Sequence, residues 1–412
     1  MFVSLIALVV SGVSHAQSPR FIWDAGGTIS TSYSIGDLAD RSLVAPADLG
    51  PDNLLTRADL EATGTEYTVQ GVLVSELDAR VRLGWITELV DLEIRGSLLA
   101  RLSPQGFPQQ SGTAVAPGES GIRIERRPQR WGDARISVEI GRLRLGESTG
   151  RVVDQLVDGA GVAARFPDAY IALGGGVTAF VNPYFFTPRL LPADTVDGSS
   201  WSAPQRLIAV ARVEVARVAG HDLGGFAVYY DDRMPSTGDD SYFAGITARG
   251  TIVSGWGALA RLDHTSTLVA QWRSSSPRVA FLAAGTLRAR GTLALVAELD
   301  ASYASGAGGG LDEFMPVTPT PVGRVLALPQ SDLLTIALEA GFERGERFPL
   351  VPAARGALFV SATGANPFFA TELTAHLGYG ILPDARIRAD AGAAWSPLGW
   401  SPIFRVEGRV AL

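Results

Sequence analysis

Apolar and polar residues alternate along most of this chain. In Asp78-Ala-Arg-Val-Arg-Leu-Gly-Trp85 the apolar positions are Ala79, Val81, Leu83 and Trp85, with Asp78, Arg80, Arg82 and Gly84 between them. Val90, Leu92, Ile94, Gly96 and Leu98 alternate with Asp91, Glu93, Arg95 and Ser97. Ala134, Ile136, Val138 and Ile140 alternate with Arg135, Ser137 and Glu139. The pattern returns in Leu293, Leu295, Ala297, Leu299, Ala301 and Tyr303, and in Leu334, Ile336, Leu338, Ala340 and Phe342. It continues in Thr371, Leu373, Ala375, Leu377 and Tyr379, and in Ile387, Ala389 and Ala391 against Arg386, Arg388 and Asp390. Side chains alternate faces along a strand, so each segment predicts a strand with one apolar and one polar face. On a helix Arg80, Arg82, Asp91, Glu93 and Arg95 would interrupt any apolar stripe. After Ile140 the apolar parity moves to Leu143 and Leu145, which predicts a bulge near Gly141.

Short connectors such as Gly220-His-Asp-Leu-Gly224, Ser274-Ser-Ser-Pro277, Ala289-Arg-Gly291 and Leu382-Pro-Asp384 separate many strands. Longer Pro-, Gly-, Ser- and Asp-rich connectors lie at Ser103–Ser120, Pro183–Pro204, Ser305–Gln330 and Arg344–Ala354. The strand signals give about 21 strands, with Tyr67–Trp85 readable as one strand or two. By that count the two longest connectors, Pro183–Pro204 and Ser305–Gln330, fall at opposite ends of the sheet. Either a strand is miscounted between them or one connector folds back as a plug or constriction.

Composition narrows the function classes. The chain has 412 residues, and 35 Lys+Arg against 42 Asp+Glu give a net charge of −7. That disfavours nucleic acid as a partner, because phosphates need a basic face. Cysteine is absent, which excludes disulfides, thiolate metal sites and thiol nucleophiles. The four histidines are His15, His221, His264 and His376, little material for a multi-His metal centre. The apolar run Met1–Val10 followed by Ser14-His-Ala16 reads as a secretory signal peptide over residues 1–16, leaving 17–412 as a single domain. No later stretch approaches the ~18 apolar residues of a membrane helix.

Roughly 20 amphipathic strands without a domain break predict an all-β, antiparallel transmembrane β-barrel of about 18–20 strands. A soluble sandwich of this size would divide into domains of about 7–9 strands. In lipid every backbone group must be paired within the protein, so the sheet must close on itself. Trp85, Tyr242, Trp272, Tyr303, Tyr379 and Trp395 sit near strand ends, where interfacial girdles would form.

The chain ends in a final amphipathic strand: Phe404, Val406, Gly408, Val410 and Leu412 on one parity, Arg405, Glu407 and Arg409 on the other. This terminus resembles the C-terminal signal of bacterial outer-membrane β-barrel proteins, with Leu412 where that family usually has an aromatic residue. The resemblance implies outer-membrane lipid as surroundings, recognition of the last strand by the barrel-assembly machinery, and a porin-like channel for small hydrophilic solutes. The segment Ile140–Ala160, a strand ending in Gly-Arg and an Asp-Gly opening the next, is similar to segments of spirochaetal outer-membrane barrels and of alginate-export-type porins. The candidate pore-lining residues on the polar faces are Arg80, Arg82, Asp91, Glu93, Arg95, Arg135, Glu139, His376, Arg386, Arg388, Asp390, Arg405, Glu407 and Arg409. Their structural alternative is cross-strand pairing that only holds the wall.

Other chemistry carries less. Gly255-Trp-Gly-Ala-Leu-Ala260 nearly matches a dinucleotide fingerprint, but no helix pattern follows, and the strand reading stands. Asp231-Asp232 and Asp239-Asp240 fit no calcium loop and read as a solvated acidic turn. Asp263-His264 and His221-Asp222 are adjacent and point to opposite faces, so neither forms a catalytic pair; no enzyme and no cofactor is expected. The alternatives to a channel are a closed or plugged barrel with a structural or adhesive role, and a soluble periplasmic all-β binding protein. Oligomeric state is left open.

Overall fold

The computed structural model describes residues 20–36, 71–86, 90–103, 112–128, 133–178, 206–232, 240–292, 294–308, 310–317, 332–342, 350–361, 369–382, 384–396 and 399–411. The leader expected at 1–16, Leu293 and Leu412 lie outside the described residues. The strands are β1 (Arg20–Gly36), β2 (Gly71–Ile86), β3 (Val90–Ser103), β4 (Gly112–Pro117), β5 (Ser120–Arg126), β6 (Arg135–Gly146) and β7 (Asp154–Arg165). They continue with β8 (Ala169–Val177), β9 (Arg206–Val218), β10 (His221–Asp232), β11 (Ser241–Trp256), β12 (Leu259–Arg273) and β13 (Ser276–Gly291). The last are β14 (Leu295–Ala304), β15 (Leu333–Phe342), β16 (Leu350–Ser361), β17 (Phe369–Leu382), β18 (Ala385–Ser396) and β19 (Gly399–Ala411).

Each strand pairs antiparallel with its chain neighbour, and β1 pairs with β19 from Thr28↔Ala411 to Gly36↔Ile403, which closes the sheet into a barrel. The 19 strands make 18 walls. Strand β4 covers one end of β3 (Leu98↔Pro117 to Ser103↔Gly112) and β5 the other (Val90↔Arg126 to Arg95↔Gly121). The two are one wall interrupted at Gly118-Glu119. An even wall number is what a closed up-and-down barrel with both termini at one end requires. The expectation of about 21 strands is too high, and the architecture and the 18–20 range hold.

One end of the barrel has short turns, such as Ala219-Gly220 and Gly257-Ala258, and the other carries the long connectors. Residues 178–205 join β8 to β9 and residues 305–332 join β14 to β15. Six walls separate them, so both lie at the same end, and the expectation of opposite ends fails through the miscount. Short turns mark the periplasmic end of such barrels and long loops the outer end.

The outward face carries the exposed apolar residues, among them Val81, Ile94, Leu173, Val213, Ile246, Leu268, Leu299, Leu338 and Leu373. Tyr242, Trp272, Tyr303 and Trp395 ring the long-loop end, and Trp85 and Tyr379 the short-turn end; all are exposed. Two aromatic rings about one apolar band are the outer surface of a membrane barrel.

The phase change after Ile140 is not a bulge. The register of β6 with β5 and β7 runs without a shift, from Arg135↔Arg165 to Gly146↔Asp154. Leu143 and Leu145 share the inward parity of Glu139 and are buried there. The apolar residues have changed face because something inside the barrel covers them. The Gly255–Ala260 segment is the tip of a hairpin: β11 ends at Trp256 and Gly257-Ala258 forms the turn, with positive φ at Gly255 and Gly257. Of the acidic turn, residues 233–239 lie outside the described residues.

Candidate functional site: the barrel lumen

Two segments at the long-loop end fold into the barrel. The first is the β6–β7 connection, residues 147–153. The buried Glu147 carboxylate accepts hydrogen bonds from the backbone N–H of Arg151 at 2.6 Å, of Val152 at 3.0 Å, and from the Thr149 hydroxyl at 2.8 Å. One side chain thereby satisfies a tight loop's inward N–H groups. Val152 and Val153 become fully buried against a cluster that includes Leu145, Val157, Ile208 and Val210.

The second is Ser305–Val317, which opens the β14–β15 connection. Phe314 is fully buried and meets Phe243 edge-on, ring centroids 6.2 Å apart. Gln271 treats Met315 as a strand edge: its Oε1 accepts the Met315 N–H at 2.8 Å and its Nε2 donates to the Met315 carbonyl at 3.1 Å. Arg273 clamps Asp312 bidentately, at 3.0 and 2.5 Å. Burial pushes the Asp312 carboxyl up, but hydrogen bonds from Arg273 and the Glu313 N–H outweigh it and hold it below the usual carboxylate range. Beneath this segment the inward faces of β10–β13 are apolar: Phe226, Val228 and Tyr230; Phe243; Val269; Ala280 and Leu282.

Directly toward the short-turn end the same walls turn polar. A cavity of about 440 Å³ opens there. Ser148, Thr149 and Arg151 reach it from the first inward loop. The walls supply Glu214, Asp222, Thr247, Arg249, Asp263, Thr265, Thr267, Thr286, Arg288 and Glu298. Arg249 lies between Glu214 at 3.6 Å and Asp222 at 3.4 Å, and Arg288 reaches Glu298 at 3.9 Å. Asp263 takes hydrogen bonds from Arg261 at 2.6 Å and the Thr251 hydroxyl at 2.7 Å. Three guanidiniums, four carboxylates and a row of hydroxyls give a surface rich in hydrogen-bonding groups with little net charge.

The candidate pore-lining residues picked from the sequence lie on other walls, β2, β3, β6 and β17–β19, and none of them lines this cavity, whereas Asp222 and Asp263, read in the sequence only as unable to form a catalytic pair, do. Most are ion-paired on the inward face. Arg82 reaches Glu93 at 2.9 Å, Arg95 binds Glu93 and lies 3.5 Å from Glu139, and Asp91 takes Arg127 at 3.0 Å. Arg135 lies 3.6 Å from Glu125, Arg388 pairs with Asp390 at 2.7 Å, Arg405 with Glu407 at 3.3 Å, and His376 Nδ1 lies 3.9 Å from Glu339. Arg80, Arg386 and Arg409 have no ion pair among the described residues. Phe404, Val406, Gly408 and Val410 face outward on β19, the closing strand. The alternation that picked out those charges is equally present in Thr247-Ala-Arg249, Arg261-Leu-Asp263 and Thr286-Leu-Arg288. It shows that a residue faces inward, and not which part of the lumen is open.

No known protein-family model matches the sequence, and no curated protein does. Solved structures do. The outer membrane protein opdK from Pseudomonas aeruginosa, also solved with vanillate, superposes with a TM-score of 0.64 at 11% identity, over 95% of this chain and 98% of that one. OccK2 (OpdF) of the same organism, in complex with glucuronate, gives 0.63 at 10% identity over 95% and 98%. A BenF-like porin from Pseudomonas fluorescens Pf-5 gives 0.64 at 9% identity over 95% and 98%. The likeness spans nearly the whole of each chain, and at these identities it establishes the fold: the architecture is that of an outer-membrane porin barrel.

Proposed function

We propose that the protein is an outer-membrane channel for the passive diffusion of small hydrophilic solutes, exported by residues 1–16 and inserted by barrel-assembly machinery that reads the closing strand. The observation that carries this reading is the charged and hydroxyl-lined cavity inside a closed barrel of 18 walls. Rows of opposed charge lining a pore, here including the arginines and carboxylates of β2, β3, β6 and β17–β19, tune which solutes pass. The neighbours opdK and OccK2 were solved with the carboxylates vanillate and glucuronate. In this chain Arg249 and Arg288 are already met by carboxylates, which favours uncharged polyhydroxyl solutes over anions. Reconstitution into planar bilayers tests the channel: steady single-channel conductance with weak ion selectivity is expected, and a folded barrel without conductance contradicts it.

A second reading, a closed barrel with a structural or adhesive role, is favoured by the two inward loops. Liposome swelling separates the two. Swelling in a neutral sugar supports the channel, and absence of swelling with a correctly folded barrel supports the closed form.

A further inference from the structure

The cavity in the lumen is bounded by two kinds of element: the β6–β7 loop, which brings Arg151, and the wall of β9–β14. The wall carries its own ion pairs. Arg288 reaches Glu298 at 3.9 Å, and Arg261 holds Asp263 at 2.6 Å. Glu214 and Asp222 share the single guanidinium of Arg249, at 3.6 and 3.4 Å. Arg212, two residues from Glu214, turns away to Tyr170, whose hydroxyl takes its hydrogen bond at 2.7 Å. Arg290 and Asp300, just beyond the lining on β13 and β14, add one charge of each sign. Within this wall the four carboxylates therefore meet three guanidiniums, and the surplus negative charge sits around Glu214 and Asp222. Both are open to solvent, at 26% and 44% exposure.

The loop supplies the missing positive charge. Arg151 lines the cavity, and its guanidinium has no ion pair among the described residues. Its nearest carboxylate in sequence, Glu147, is spent elsewhere: it accepts the backbone N–H of Arg151 and Val152 and the Thr149 hydroxyl. The same bonds hold the loop in place, with Val152 and Val153 buried behind it. The lining is thus neutral in sum, but its last positive and last negative charges stand on separate elements, too far apart to pair, around a cavity of about 440 Å³. That volume lies in the range of small-molecule sites.

An anion drawn to Arg151 also meets the surplus carboxylate, and a cation drawn to Glu214 and Asp222 also meets Arg151. A solute carrying both charges meets each with its opposite. We propose that Arg151 and the Glu214–Asp222 pair form a binding subsite for zwitterionic solutes, the solute's carboxylate on Arg151 and its ammonium at Glu214 and Asp222. Arg151 is then the residue that sets this specificity, since its planar guanidinium offers a carboxylate paired N–H donors. The inference rests on the channel reading and adds to the polyhydroxyl solutes a class that is neutral in sum but charge-separated. Solvent-exposed ion pairs of this kind are each worth up to about fivefold. Binding that weak concentrates a solute without trapping it.

Alanine and lactamide are isomers, the first a zwitterion and the second uncharged. Liposomes carrying the mature protein should swell several-fold faster in alanine than in lactamide at equal concentration, after the rates of protein-free liposomes are subtracted. Arg151→Gln and Glu214→Gln should each bring that ratio toward one, and Arg151→Lys, which keeps the charge, should preserve most of it. Boiled and unboiled gel mobility shows that each variant is folded. Equal rates in wild type, or an undiminished preference in folded Arg151→Gln, overturns the subsite and leaves the channel standing. No swelling in either solute from a folded barrel overturns the channel reading and the subsite with it.

Discussion

The inward faces of β10–β13 differ within a few residues of one another. Toward the long-loop end they present Phe226, Val228, Phe243, Val269 and Leu282, buried beneath Phe314 and its neighbours. Toward the short-turn end the same strands present Asp222, Arg249, Asp263, Thr265 and Arg288 around an open cavity. One stretch of wall is dry and the next is wet, although the backbone geometry is the same. The difference comes from what lies across the lumen. Where a loop supplies apolar side chains and a backbone edge, the wall can be apolar; where water remains, burying that surface gains nothing and charge is tolerated.

The largest effect is expected where the dry region is held. Arg273→Ala leaves the Asp312 carboxylate buried without its partner, a penalty of about 3–5 kcal/mol, and Phe314→Ala removes a buried ring at a similar cost of about 3–5 kcal/mol. Either should free Ser305–Val317, seen as new protease cleavage within it and as noisier, altered conductance, while the barrel keeps its boiling-dependent mobility. Acid should do the same reversibly. Asp312 has its carboxyl held below the usual range, so its contribution is complete above that range and is lost as pH falls through the lowered value, below about pH 4. Single-channel noise rising at that pH in wild type, and absent from its pH response in Asp312→Asn, checks it.

In the wet region effects should be smaller and electrical. Arg249→Glu places a third carboxylate beside Glu214 and Asp222. At a few kcal/mol for charges about 4 Å apart near protein surfaces, it should move the channel several-fold toward cations, measured as a reversal potential in a salt gradient. Smallest of all, Arg405→Ala breaks a half-exposed pair with Glu407 and should cost below about 1 kcal/mol of barrel stability in a urea titration.

That a strand has lipid on one side and water on the other is legible in the sequence; which walls border the open cavity and which are dry is not. Arg80 to Trp85, Val90 to Leu98 and Ile387 to Ala391 alternate cleanly because lipid and water are their only surroundings. Phe226-Ala-Val-Tyr-Tyr230, Leu268-Val-Ala270 and Val279-Ala-Phe-Leu-Ala283 are continuous apolar runs, the mark of a strand covered on both sides. They carry that signal, but nothing local says that the cover comes from residues 312–317, which are close only in the folded chain. The same holds for Leu143 and Leu145, whose change of face looked like a bulge. Strand β4 and strand β5 share one wall by pairing with successive parts of β3, which a count of local segments cannot register.

The chain has no cysteine, so a single introduced thiol is an unambiguous reporter. The measurement that goes to the centre of the account is modification of Thr265→Cys, Val228→Cys and Leu268→Cys by a charged, membrane-impermeant thiol reagent in a bilayer, with conductance recorded throughout. Thr265→Cys should react quickly and step the conductance down, while Val228→Cys under the inward loop and Leu268→Cys against lipid should stay protected. Rapid modification at Val228→Cys, or none at Thr265→Cys in a folded barrel, would contradict a lumen divided into a sealed and a water-filled part.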